Sequence, residues 1–178
     1  MTPEELRSLI RTVPDFPQPG IQFRDITTLI GHPQGFAASV RHLADAARSV
    51  GAEAIAGMEA RGFIFGAAVA CELDLGFVPV RKPGKLPVPS IGVDYALEYG
   101  SDRLEIDPGA VASGERVVIV DDLIATGGTA LAAAELLRRA GASVDYALFV
   151  IDLPDLGGAQ KLRNAGVNVR TLIAFEGD

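Results

Sequence analysis

Apolar and polar positions along the chain fall into short blocks whose period changes several times. Leu6, Leu9, Ile10 and Val13 recur at i, i+3, i+4 and i+7, the spacing of one helix face. Thr2-Pro3-Glu4-Glu5 supplies a capping Thr, Pro at the first helical position and Glu three residues after the cap. Pro14, Pro17 and Pro19-Gly20 end that helix and predict an irregular segment through Ile21-Gln22-Phe23-Arg24-Asp25. A second helix follows Pro33, with Phe36, Val40, Leu43, Ala47 and Val50 on one side. From there strands and helices alternate. Strands are expected over 54–58, 77–80, 117–120, 147–151 and 169–175, and helices over 63–73, 129–140 and 158–164. Residues 82–106 break the rhythm: a Pro/Gly-rich stretch, then two short alternating runs around 95–99 and 103–106 that read as a hairpin. Strands alternating with helices imply an α/β fold whose parallel sheet is covered on both faces.

Composition narrows the class. At 178 residues the chain suits one domain, and roughly 70% of its unfolded surface should be buried without a staple. Its 16 basic and 23 acidic residues leave a net charge of −7, which argues against a general nucleic-acid or anionic-membrane binder. A single cysteine, Cys71, and two histidines, His32 and His42, leave no disulfide framework and no multi-histidine metal site. No stretch approaches 18 apolar residues, so no membrane span is expected. The acidic start lacks the basic region and apolar run of a signal peptide, and with the lone thiol this predicts a cytoplasmic protein.

In doubly wound sheets, ligands bind beyond the carboxyl ends of strands, where the strand order reverses. Two strand ends carry chemistry. The first continues as Met58-Glu59-Ala60-Arg61-Gly62. The second is Asp121-Asp122-Leu123-Ile124-Ala125-Thr126-Gly127-Gly128-Thr129 and runs into a helix. Glycines and hydroxyls before a helix N-terminus make a phosphate cradle. Two carboxylates beside it would repel a phosphate unless they hold a diol or a cation, which suits a sugar phosphate. A Gly-Gly-Thr turn alone is more often simple capping; the nine-residue run is far more specific. There is no Gly-Lys-Ser/Thr of a Walker loop and no Gly-x-Gly-x-x-Gly. A phospho-acceptor receiver domain fits poorly, because its acidic pair belongs early in the chain.

The run from Val117 to Ala130 resembles the phosphoribosyl-pyrophosphate (PRPP) signature of type I phosphoribosyltransferases. Four further segments narrow the resemblance to adenine phosphoribosyltransferases. They are Phe16-Pro17-x-Pro19-Gly20-Ile21-x-Phe23-Arg24-Asp25-Ile26, Glu59-Ala60-Arg61-Gly62-Phe63-Ile64-Phe65-Gly66, Arg81-Lys82-Pro83-Gly84-Lys85-Leu86-Pro87 and Leu97-Glu98-Tyr99-Gly100, in family order. The resemblance implies a central, mostly parallel sheet flanked by helices. It adds an N-terminal hood over 1–35 that carries the adenine pocket, and a flexible flap over 82–106, all in one domain. The implied reaction, in purine salvage, joins adenine to the phosphoribosyl group of PRPP, giving AMP and diphosphate, with Mg2+.

By the same resemblance, Ala125, Thr126, Gly127, Gly128 and Thr129 hold the 5-phosphate, while Asp121 and Asp122 meet the ribose hydroxyls. Glu59, Ala60, Arg61, Arg81, Lys82 and Lys85 form the diphosphate site, and the Glu59–Ala60 peptide bond is expected to be cis. Mg2+ would be held mainly by PRPP or diphosphate, near Asp121. Glu98 matches the catalytic carboxylate that handles the adenine proton. Ile21, Gln22, Phe23 and Arg24 form the adenine pocket. Taken alone, Phe23 would be core, Arg24 an ion-pair partner of Asp25 or another acid, and each cation a solvated surface charge. Ala125 stands where enzymes for 6-oxopurines generally carry Asp, so the proton must be handled elsewhere, which favours Glu98. A homodimer is implied by the family. The competing readings are a transferase for another base, such as xanthine or orotate, and a PRPP-sensing regulator that binds nucleic acid.

Overall fold

The computed structural model describes residues 1–96 and 100–177. The N-terminal helix α1 (Pro3–Ser8) has the expected capping box, with the Glu5 N–H donating to Thr2 Oγ1 and the Thr2 N–H to Glu5 Oε2. It stops sooner than the periodicity predicts. Residues Arg11–Pro14 form β1 and pair antiparallel with β2 (Gln22–Asp25), where helix end and irregular segment were expected. Tertiary contacts override the pattern here: the Arg11 N–H donates to Thr28 Oγ1 at 3.1 Å, and the Arg11 guanidinium pairs with Asp25 at 2.5 Å. Leu6 and Ile10 still reach the core. A short helix α2 (Thr27–Ile30) precedes α3 (Pro33–Ser49), whose first turn is capped by His32 Nδ1 accepting from the Gly35 N–H at 3.0 Å.

The alternating part follows closely: β3 (Ala54–Met58), α4 (Arg61–Glu72), β4 (Gly76–Val80), the hairpin β5 (Ile91–Ala96) and β6 (Ser101–Ile106), then β7 (Val117–Ile124), α5 (Gly128–Arg139), β8 (Tyr146–Asp152), α6 (Gly158–Asn164) and β9 (Asn168–Ala174). Of the run expected around 95–99, residues 95 and 96 close β5, which begins four residues earlier, and 97–99 lie outside the described residues. Five strands form a fully parallel sheet in the order β4-β3-β7-β8-β9. Because both faces are covered, successive strand residues feed opposite cores. Ile55, Val118, Val120, Leu148 and Val150 pack with α3 and α4 through Leu43, Ala47, Phe65 and Val69. Ala56, Ile119, Ala147 and Phe149 pack with Ala133 and Leu137 of α5 and with Val93, Leu104 and Ile106 of the hairpin.

Chain order across this sheet reverses at β3, whose neighbours β4 and β7 lie on opposite sides. The carboxyl ends of β3 and β7 therefore flank a crevice. One boundary differs from expectation in a way that bears on this crevice. β7 does not stop at Val120 but runs through Asp121 and Asp122 to Ile124, pairing Leu123 with Ile151 and Ile124 with Asp152. The two aspartates belong to the strand itself. The ladder continues past them, but the facing switches: Ile124 packs in the core of Val117 and Ile119, and Leu123 against that of Val118 and Val120, while Asp122 stays buried.

Candidate active site

Beyond those strand ends lies a cavity of about 270 Å³, lined by residues 58–61, Lys82 and residues 121–130. One wall is the turn from β7 into α5. Gly127 caps the helix with φ 79°, a left-handed conformation that glycine adopts without steric cost. The first amides of a helix have no intrahelical acceptor, and here residues 126–129 border the cavity. A second glycine supports the turn from behind. The Gly158 N–H donates to the Ala125 carbonyl at 3.0 Å. A β-carbon on Gly158 would lie 2.3 Å from that oxygen, and one on Gly127 would lie 2.8 Å from the Gly158 carbonyl oxygen. The 125–129 turn is thus held at backbone contact by Gly158, which lies far downstream in the chain.

The floor is acidic. Asp122 is buried, and its Oδ2 accepts from Arg61 Nε at 2.5 Å, joining the two strand ends. That hydrogen bond is the main cause of the raised pKa of Arg61. Burial, and then the neighbouring Asp122 charge, push the Asp121 carboxyl well above its ordinary range. Gly62, in the first turn of α4, makes room for it: a β-carbon there would lie 2.8 Å from Asp121 Oδ1. Among the described residues no group of three or more His, Cys, Asp and Glu gathers as a ready-made metal site. The aspartate pair, with Asp121 poorly solvated beside a like charge, is a hard-oxygen donor set that a divalent cation shared with phosphate oxygens would relieve.

The opposite wall carries cations and Glu59. The Glu59–Ala60 peptide bond is cis, as expected. Glu59 Oε2 accepts from the Lys82 backbone N–H at 2.9 Å, which, with the Arg81 side chain, holds the Glu59 pKa down. Arg81 grips the same carboxylate at 3.3 Å through both Nε and Nη2, and its Nη1 donates to the Lys85 carbonyl at 3.1 Å. The Lys82 ammonium lies between the hydroxyl of Tyr95, at 3.2 Å, and the carboxylate of Asp102.

Of the expected site residues, the cavity brings together Glu59, Ala60, Arg61, Lys82, Asp121, Asp122 and Ala125 to Thr129. Arg81 stands behind Glu59, and Lys85 is exposed beside it. Ile21, Gln22, Phe23 and Arg24 do not line this cavity; they lie along the β1–β2 hairpin. There Phe23 meets Phe16 edge-on at 5.1 Å, and Arg24 donates to Thr12 Oγ1 at 2.8 Å and stacks 4.5 Å from the Phe175 ring. Asp25 pairs with Arg11. Glu98 lies outside the described residues. Sequence reasoning assigned no role to Gly158, Tyr95, Asp102 or the lining residue Met58. For Gly158 the usable signal is the Gly157-Gly158 pair at the start of α6, a few residues after β8, the strand next to β7.

Residues 30–168 match the model of the phosphoribosyl transferase domain. The chain is 75% identical over 177 residues to the adenine phosphoribosyltransferase of Erythrobacter litoralis, covering 99% of each chain. Among solved structures, the adenine phosphoribosyltransferase of Thermoanaerobacter pseudethanolicus superposes with a TM-score of 0.93 at 49% identity, covering 98% of this chain and 100% of that one. The enzyme of Saccharomyces cerevisiae, solved with an imino-altritol bisphosphate and adenine, gives 0.88 at 41% identity, covering 96% and 97%.

Proposed function

The chain belongs to the adenine phosphoribosyltransferases, and from that premise we propose how its own residues carry the reaction. The enzyme transfers the phosphoribosyl group of PRPP to adenine in purine salvage, releasing diphosphate and forming AMP. The adenine nitrogen bonds to the anomeric carbon as the bond from that carbon to diphosphate oxygen breaks, and the adenine proton passes to a base. Positioning and charge stabilisation are what the protein contributes.

The observation that carries this reading is the cavity at the β3/β7 strand ends, with a helix-start turn on one side and an arginine–aspartate floor beneath it. The turn 125–129 is suited to the 5-phosphate, since its amides and hydroxyls border the cavity. Asp121 and Asp122 are suited to the ribose hydroxyls, and their charge favours a cationic sugar in the transition state. Arg61, Arg81, Lys82 and Lys85, with the Glu59–Ala60 turn, supply the donors for diphosphate. Mg2+ bound with PRPP would neutralise phosphate charge, and Asp121 is the residue placed to share it.

We assign the adenine proton to Glu98 and the base pocket to residues 21–24, with residues 1–35 acting as hood and 82–106 as flap within one domain. The enzyme works as a cytoplasmic homodimer in this reading. Diphosphate release from PRPP, measured in parallel with adenine, hypoxanthine and guanine, tests it. Adenine should be consumed far faster than either 6-oxopurine, and equal turnover of hypoxanthine would sink the assignment.

A further inference from the structure

Three of the four cations assigned to diphosphate are each held by a carboxylate: Arg61 by Asp122, Arg81 by Glu59 and Lys82 by Asp102. Asp122 and Glu59 stand at the strand ends and line the cavity. Asp102 does not. It comes from β6 of the hairpin, where its cross-strand neighbour is Tyr95. The Tyr95 hydroxyl donates to Asp102 Oδ2 at 3.1 Å and accepts from Lys82 Nζ at 3.2 Å, closing a three-residue cluster. The Lys82 ammonium also lies 5.8 Å from the centre of the Tyr95 ring. Lys82 hydrogen bonding is the leading cause of a lowered Asp102 pKa, so Asp102 is an anion at neutral pH.

The cluster sits where the hairpin meets both halves of the site. At its root, Arg81 and Glu105 exchange backbone hydrogen bonds of 2.9 and 2.8 Å. Near its other end, a β-carbon on Gly128 of the phosphate loop would lie 3.6 Å from the Ala96 carbonyl oxygen and 3.9 Å from the Tyr95 ring. An ammonium has three protons to donate, and the hairpin engages it through two acceptors. An arriving diphosphate oxygen finds two of the three protons engaged and meets the negative charge of Asp102.

Resting on the site reading above, we propose that Asp102 is a positioning residue that competes with diphosphate for Lys82. It parks the ammonium on the hairpin when the anion is absent and weakens the hold on diphosphate as product. A purely supportive role, in which Asp102 aims Lys82 at the anion, predicts the opposite sign when its charge is removed.

Titration calorimetry with inorganic diphosphate and Mg2+ on the full chain separates the two. Asp102→Asn keeps the shape and an acceptor but loses the charge. It should bind diphosphate about threefold to tenfold more tightly, with the gain shrinking as salt is added. In kinetics the KM for PRPP should fall, and product inhibition by diphosphate should strengthen. Asp94→Asn removes the same charge from the same hairpin, but from a carboxylate paired with Arg103 at 3.1 Å; it should change the affinity by less than about twofold. Asp102→Ser should reproduce the gain if the Asn variant melts early. Unchanged or weaker binding in a folded Asp102 variant, or an equal gain in Asp94→Asn, overturns the proposal. Failure of the unmodified enzyme to bind diphosphate would instead overturn the site reading itself.

Discussion

The 125–129 turn after β7 and the cation group around Glu59 face each other across one crevice, yet different forces hold them. The loop is fixed by backbone: a left-handed Gly127, the 3.0 Å hydrogen bond from Gly158, and contacts too close for any β-carbon. The cations are fixed by side-chain ion pairs, several of them partly exposed; Arg61 keeps 56% of its side-chain surface and Lys82 35%. Such pairs are individually weak and screened by salt. The loop should therefore respond to change as a geometric element, losing function sharply. The cations should respond gradually and with a strong dependence on ionic strength.

The largest expected effect belongs to neither half. Glu98→Gln should lower kcat by about 10²–10⁴-fold, the range for a general acid/base, while PRPP binding is largely kept. Near-normal kcat would exclude Glu98 as the group that handles the adenine proton. Gly158→Ala tests the backbone half from outside the cavity. A methyl group 2.3 Å from the Ala125 oxygen must shift the loop, and misplacement of that order should reduce turnover roughly 10²-fold. Normal activity would show that the loop tolerates movement and would erase the contrast.

Asp121→Asn and Asp122→Asn should each cost about 10–10²-fold in turnover, the worth of a hydrogen bond to a charged group. Thermal melting should fall less for Asp121, which stands beside a like charge, than for Asp122, which is buried against Arg61. Collapse of stability in both would make the pair structural.

The smallest effect concerns the N-terminal region. Asp25 is held down to about 2 by the Thr27 hydroxyl and then Arg11, against an ordinary 3.8. Its stabilising contribution is present above the ordinary value and is lost as pH falls from about 4 through 2. Acid unfolding curves of the enzyme and of Asp25→Asn should differ at neutral pH and converge below that window. A constant gap would exclude the ionised Asp25 as the source.

How much of this was legible in the sequence follows the same division. The strands after Ala54 announce themselves because burial on both faces demands continuous apolar runs, and the 121–129 turn because glycine and threonine are needed where backbone meets phosphate. The N-terminal region misleads, since Leu6, Leu9, Ile10 and Val13 have helical spacing but Val13 pairs with Phe23 in a hairpin. Four apolar positions cannot outweigh the Arg11–Asp25 and Arg11–Thr28 contacts, which link residues 14 and 17 apart. The end of β7 is not legible, because two consecutive aspartates read as the exit from a buried strand while the ladder runs on to Ile124 and switches its facing after Val120. The Lys82–Tyr95–Asp102 cluster leaves no trace in local pattern, because it joins three residues only after the hairpin has folded back. Gly158 is similar: its function is an absent side chain, seen only against its neighbour.

A crystal structure of the enzyme with AMP, diphosphate and Mg2+ tests the central claim most directly. The nucleotide phosphate should lie on the amides and hydroxyls of residues 126–129, the ribose hydroxyls against Asp121 and Asp122, and diphosphate among Arg61, Arg81, Lys82 and Lys85. A nucleotide phosphate seated away from the 125–129 turn would contradict it.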